Sequence, residues 1–283
     1  MYLIKENNMK DEKPFRNRHE IVPEKVRKLY GFIHEKQDML SGFRGSIAHG
    51  LTIKPEDDVM YGIDDEDTFS IYSYPKEYYL SLESYYHNGE VKETKEGSQD
   101  DVAYEIRKTI HLLSGCNPNV MTYLYNRPDH YFTISKGGQM LLDNRSIFLS
   151  RRKVYMAYAG YAYGQLKKLN TGAYRGYMGD KRKKIVDEIG YDTKNAMTLV
   201  RLLRNGRELL LDGKMDVYRE HDKDFLISIK RGLFSMDEIQ KMADDEFHEN
   251  EEAYKKSTLP EENSREKINE LLVDILNVEH SPS

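Results

Sequence analysis

An α+β fold, with its few strands in the first half and helices filling the second, is predicted for this 283-residue chain by three observations. Short apolar runs broken by Gly, Pro and Asn-Gly signals occupy the stretch before about Asp143. From Ile147 onward, apolar residues recur at helical spacing almost throughout. Charge also shifts between the halves: Arg151 to Lys214 holds fifteen Lys/Arg against six Asp/Glu, a local +9 in a chain of net −5. The expected units are 1–145 and 146–283, the second basic in its first half.

Pro23 opens a predicted helix from Glu24 to about Met39, carried by Val26, Leu29, Tyr30 and Ile33 and ended by Asp38 to Gly42. Phe43 to Ala48 reads as a short strand and turn, and Leu51 to Ile63 as a loop. Thr68 to Tyr72 is a strand that Pro75 stops before a helix over Glu77 to Tyr86. The turn signals Asn88-Gly89 and Gly97-Ser98 flank Val91 to Glu96, an edge strand or hairpin arm. Asp101 to Tyr104 reads as a strand passing into a helix that runs to Ser114, and Val120 to Tyr125 starts another after Asn117-Pro118. Helices follow over Val154–Leu169, Lys181–Ile189, Lys194–Leu211, Met236–Lys255 and Ser264–Val278, separated by Gly172 to Gly179, Gly190, Gly213 and Leu259-Pro260.

The composition, 39% hydrophobic and 32% charged, is that of a soluble globular protein, and no apolar run approaches membrane-spanning length. The first residues, Met1 to Glu6, lack the apolar core of a signal peptide. One cysteine, Cys116, permits no internal disulfide and no cysteine metal cluster, and the expected compartment is the reducing cytoplasm. The net negative charge argues against a general nucleic-acid coat, so the basic segment is either a solvated helical surface or a phosphate-facing wall.

The chemistry concentrates between Arg44 and Asp67. Arg44-Gly45-Ser46-Ile47-Ala48-His49-Gly50 is a small-residue turn able to bring backbone N–H groups to a phosphate. About twenty residues later comes Asp64-Asp65-Glu66-Asp67. By strand parity Asp65 and Asp67 extend the apolar row of Phe69 and Ile71, while Asp64 and Glu66 share the polar face with Thr68, Ser70 and Tyr72. Carboxylates so placed, roughly 7 Å apart, can bridge two hard cations, which suits metal-dependent nucleotidyl transfer.

These motifs, with Pro75-Lys76-Glu77-Tyr78-Tyr79-Leu80, Asp101-Val102-Ala103-Tyr104-Glu105-Ile106-Arg107, Gly115-Cys116-Asn117-Pro118-Asn119-Val120 and Gly190-Tyr191-Asp192-Thr193-Lys194-Asn195, come in one order. Arg201-Leu202-Leu203-Arg204 and Ser257-Thr258-Leu259-Pro260-Glu261 continue it. In this order they resemble the nucleotidyltransferases of the DNA polymerase beta superfamily, in the RNA-ligase-associated branch, over nearly the whole chain. The resemblance implies a small mixed-sheet nucleotidyltransferase domain followed by a helical one. Gly45 and Ser46 would then hold the triphosphate of an NTP. Asp65 and Asp67 would ligate Mg²⁺ or Mn²⁺, with a third carboxylate on a neighbouring strand. Asp101 is the choice for that third acid, with Glu105 as competitor and a helix cap as its alternative role.

On the predicted Lys194 helix, Lys194 and Arg201 face the same way beside an apolar stripe. The resemblance assigns both to triphosphate or substrate. Thr198 stands where relatives commonly have histidine, and a hydroxyl cannot titrate near neutrality. Tyr155, Tyr158, Tyr161, Tyr163, Tyr174 and Tyr177, among basic residues, either pack between helices or stack on single-stranded nucleic acid. His49, His111 and His130 show no metal-ligand spacing. The expected activity is transfer of a nucleoside monophosphate from an NTP to an acceptor hydroxyl, most simply an RNA or DNA end. A non-catalytic nucleotide or nucleic-acid module, or an enzyme nucleotidylating proteins or small molecules, is the alternative. Base preference and oligomeric state are not legible.

Overall fold

Residues 66–73 alternate about a strand axis and become the centre of a mixed sheet. In a computed structural model describing residues 37–62, 65–80, 91–96, 99–171 and 179–281, five strands are paired. They are β1 (Gln37–Phe43), β2 (Glu66–Ser73), β3 (Val91–Glu96), β4 (Gln99–Glu105) and β5 (Tyr131–Ile134), in the order β3-β4-β2-β1-β5. Only β2 and β4 run parallel; the other neighbours are antiparallel. The parallel register sets Asp67 beside Asp100, Thr68 beside Asp101 and Phe69 beside Val102.

The described helices are α1 (Gly45–Ala48), α2 (Lys76–Leu80), α3 (Ile106–Ser114), α4 (Pro118–Met121), α5 (Lys136–Asp143), α6 (Arg151–Thr171), α7 (Asp180–Ile189), α8 (Thr193–Asp212), α9 (Lys223–Lys230), α10 (Met236–Lys256) and α11 (Arg265–Glu279). Several of them begin at side-chain caps. The Glu105 carboxylate accepts from Lys108 N at the start of α3, Asp192 accepts from Asn195 N at the start of α8, and Ser235 with Glu238 forms a capping box on α10. α7 and α8 stop at Gly190 and Gly213. Among the described residues no helix is long and apolar enough to cross a membrane.

Phe69 and Ile71 on β2 are buried with Val102 on β4 in one apolar cluster that runs from Met39 to Ile275. The ring of Phe69 stacks on Tyr123 at 3.9 Å. The opposite sheet face is covered as well, by Tyr72, Tyr74 and Tyr78. That corrects the expectation of a mostly polar even face on β2: Tyr72 is fully buried because the tyrosines after the strand fold back over it. At the other end, α11 returns to the first half, where the Glu279 carboxylate accepts from Ser135 Oγ at 2.5 Å and Gly137 N at 2.6 Å.

Of the predicted helix Glu24–Met39, residues 24–36 lie outside the described residues, and Gln37 to Met39 are strand instead. Met39 and Leu40 are fully buried in β1, between β2 and β5, so pairing on both sides overrides their helical spacing. Of Glu77–Tyr86 the first turn is described as helix. Val120–Tyr125 is helix to Met121 and a 3₁₀ turn beyond. Strand β5 and helices α5 and α9 were not anticipated. The long helices of the second half lie within a few residues of their predicted spans.

Candidate active site

The turn after β1 begins the site. Arg44 N donates to Asp67 O at 2.9 Å, which fixes the turn to the mouth of β2. Gly45 follows in the left-handed region (φ 65°), with its Cα against the Asp67 carboxylate, so that any Cβ there would overlap Asp67 Oδ2. Only glycine allows both the dihedral and the approach. Ser46 O accepts from Leu51 N at 2.9 Å, and Thr52 Oγ1 donates to Ser46 Oγ at 3.2 Å.

The back of this turn is fastened by the helical half. His49 is buried with Nδ1 3.0 Å from Val217 O, and His49 O accepts from Arg219 N at 3.0 Å. Burial, then the charge of Arg201, hold the imidazole pKa well below its ordinary value, so it is a neutral donor to Val217 and a structural residue. Lys230, at the end of α9, buries its ammonium and donates from Nζ to Leu51 O at 2.9 Å. Burial and the neighbouring charge of Lys194 push its pKa down to about 8.

Between sheet and helices lies a cleft of about 310 Å³. Gly45, Ser46, Asp65 and Asp67 line one side, and Lys194, Thr198 and Arg201 of α8 line another. Asp65 is exposed and Asp67 half-buried. Burial raises the Asp67 pKa; Arg44 and Lys194 counter it, and Asp100 and Asp65 add to it. Arg44 sits among these acids, with Nη2 at 2.8 Å from Asp100 Oδ1 and 3.7 Å from Asp67 Oδ1.

Arg201 is the unusual cation. Its Nε is buried and has no hydrogen-bond partner, and no carboxylate among the described residues pairs with it. Burial and the repulsion of Arg219 push its pKa down to about 10, so it remains charged at neutral pH. Most other arginines of the basic segment are neutralised. Arg182 pairs with Asp192 (2.6 Å), Arg204 with Asp222 and Glu246 (2.8 and 2.7 Å), Arg207 with Glu246 and Glu249, and Arg151 and Arg152 with Glu261 and Glu262. Much of the segment's arginine charge is therefore met by acids beyond residue 190. Of that segment's cations, Lys194 and Arg201 line the cleft without an acid partner among the described residues.

The structure thus brings together Gly45, Ser46, Asp65, Asp67, Lys194 and Arg201. Asp101 is not with them. It shares the face of Thr68, which donates to its Oδ1, and lies across the sheet from the cleft. The reason is register: since Asp67 continues the apolar row of β2, its neighbour on β4 must share parity with Val102 and Tyr104, and that residue is Asp100. Glu105 caps α3 and accepts from Tyr79 Oη at 2.9 Å and Arg107 Nε at 3.3 Å, so it too is structural. The third acid lining the cleft, after Asp65 and Asp67, is Glu93 on β3, opposite Val102. Sequence reasoning missed Glu93, Arg44 and Lys230. Parity on β3 and β4 could have found Glu93 had the parallel register been known; nothing local marks Lys230.

The tyrosines divide. Tyr158 is buried, Tyr155 packs on Tyr254 with ring centroids 5.0 Å apart, and Tyr161 and Tyr163 are exposed. Tyr174 and Tyr177 lie outside the described residues.

The site therefore joins a mixed sheet, Asp67 at the mouth of its central strand with Asp65 just before it, a Gly-Ser turn, and Lys194 and Arg201 on the facing helix. The family RlaP, the RNA repair pathway DNA polymerase beta family, matches residues 39–274, and the chain belongs to it. A nucleotidyltransferase-like protein from Exiguobacterium sibiricum 255-15 is similar over 82% of this chain and 73% of that chain, at 10% identity and a TM-score of 0.29. None of the curated proteins compared with the chain matches it.

Proposed function

We propose that the protein is a divalent-metal-dependent nucleotidyltransferase that moves a nucleoside monophosphate from an NTP to the hydroxyl of an RNA end. The observation that carries this reading is the cleft itself: Asp65 and Asp67 on one wall, and on the other Lys194 with an Arg201 that has no acid partner among the described residues. A part-buried guanidinium whose Nε is buried without a partner is costly, and a polyphosphate is the ligand that offsets the cost. The family's connection to RNA repair supports the acceptor.

Among the described residues no three His, Cys, Asp or Glu side chains form a metal cluster. The donors present still fit Mg²⁺ or Mn²⁺. Asp65 and Asp67 are hard oxygen ligands, and burial, with a smaller repulsion from Asp100 and Asp65, raises the pKa of Asp67. Mg²⁺ is commonly held by one or two carboxylates, with substrate phosphates completing the shell. When bound, such ions supply charge neutralisation of the leaving pyrophosphate and a lowered pKa for the attacking hydroxyl.

The chain's own residues do the rest. Gly45 and Ser46 offer the backbone at which the phosphates rest, held in place from behind by Val217, Arg219 and Lys230. Lys194 and Arg201 receive negative charge as it builds on the β and γ phosphates. Glu93, on the far wall, is the carboxylate placed to take the acceptor's proton. The test is transfer of each labelled NTP onto a mixed RNA pool with and without Mg²⁺. Label on RNA only with the ion supports the reading, and absence of transfer together with absence of NTP binding overturns it.

A further inference from the structure

A second cleft of about 250 Å³ opens beside the first and shares Asp65, Lys194 and Lys230 with it. Its own walls are different in kind: Met60, Tyr61 and Ile185, with Thr193 at the start of α8. We propose that this side cleft seats the nucleobase of the NTP, with Tyr61 as the stacking surface; the proposal rests on the nucleotide reading above and names where the base goes.

Three features argue for it. The cleft is continuous with the phosphate site through Lys194 and Lys230, so an anion held there has its organic end directed at Met60 and Tyr61. The remaining rim cations are already engaged. Lys181 Nζ donates to Gly62 O, and Arg182 is bidentate on Asp192 (3.1 and 2.6 Å) and reaches Asn195 Oδ1 at 3.0 Å. Such a lining does not suit a second phosphate chain; it suits a flat, uncharged ring. Finally, the Tyr61 wall is preformed: Asp58 Oδ1 accepts from Met60 N at 3.0 Å and Tyr61 N at 3.1 Å, while Asp58 Oδ2 lies 3.4 Å from Arg231 Nε. A base entering this cleft meets an ordered aromatic face and pays little ordering cost. The acceptor's terminal base is the less favoured occupant, because Glu93 lines only the main cleft.

Calorimetric binding of the four ribonucleoside triphosphates and of inorganic tripolyphosphate to the full chain, with Mg²⁺, tests this. Tyr61→Ala is expected to weaken the nucleotides at least tenfold and leave tripolyphosphate unchanged, and Tyr61→Phe is expected to bind both as the unmodified protein does. Equal loss of nucleotide and tripolyphosphate would place Tyr61 in the phosphate site or the fold and overturn the proposal. Unchanged nucleotide binding with a raised KM for RNA would give the cleft to the acceptor and overturn it too. An unmodified protein that binds neither probe would instead remove the nucleotide reading on which the proposal stands.

Discussion

Gly45 and Asp67 are in contact across the mouth of the cleft, the one without a side chain because the carboxylate of the other fills the space. Gly45→Ala therefore combines a left-handed backbone strain with a steric overlap at the proposed metal ligand. We expect a loss of at least about 2 kcal/mol of stability and no transfer activity. Gly190→Ala is the control: φ is 91° there but nothing lies within 4 Å, so strain alone should act and activity should persist. Denaturant unfolding beside the transfer assay separates the two; equal effects would mean that the Asp67 contact is unimportant.

Arg201 and Arg219 should respond in opposite ways. Arg201→Met removes a part-buried charge that has no acid partner among the described residues, so stability should hold or rise while NTP affinity falls at least tenfold, about 1.4 kcal/mol. Arg219 donates to Asp222 (2.9 and 2.7 Å), Glu208 (2.6 Å) and Asn205 (2.9 Å). Arg219→Met leaves Glu208 without its arginine and Asp222 with Arg204 alone, and should cost about 3–5 kcal/mol. A destabilised Arg201→Met with unchanged nucleotide binding would make Arg201 a structural residue.

Asp67→Asn and Asp65→Asn should each abolish transfer without unfolding the protein. For Asp67 the sign is fixed by its raised pKa: the folded state holds the proton more tightly than the unfolded chain, so ionisation costs stability as pH rises above the ordinary carboxylate range, and the amide removes that cost. Glu93→Gln should lower turnover with little change in NTP affinity, and Asp101→Asn should leave both near the unmodified values. A dead Asp101→Asn that folds and binds NTP would restore that residue to the mechanism and refute the face assignment.

Lys230 gives a pH signature. Its folded pKa of about 8 lies below the roughly 10.4 of an unfolded lysine, so between those values the unfolded chain holds the extra proton and stability from this residue rises with pH. Lys230→Met should lack that rise, seen as unfolding midpoints compared at pH 7 and pH 9.5. Over the same range NTP binding to the unmodified protein should weaken as the ammonium discharges. An identical pH response in the variant would show that Lys230 does not titrate there.

The parts of the site legible in the sequence were those fixed locally. Gly45-Ser46 announces a tight turn by composition, Asp65 and Asp67 follow the parity of Phe69 and Ile71, and Lys194 and Arg201 follow helical spacing. What could not be read depended on partners. Asp101 was placed wrongly because strand parity says which residues share a face but not which face the neighbouring strand turns to the cleft. Strand β1 resembles the end of a helix until β2 and β5 flank it. Lys230 comes to Leu51 from 179 residues away, and no local pattern signals such a contact. The basic segment misled in the opposite direction, since its acids lie farther along the chain.

The seat of Glu279 on Ser135 and Gly137 joins groups up to 144 residues apart, and Ile275 belongs to the same apolar cluster as Met39 and Leu40. During synthesis the sheet leaves the ribosome long before the helix that covers α5. Until residue 279 emerges, that surface has no native cover, and at roughly 5–20 residues per second the delay lasts on the order of ten seconds. The first half thus passes through a stage with apolar surface exposed, and truncation before α11 is expected to destabilise the fold even though every residue lining the cleft is already translated.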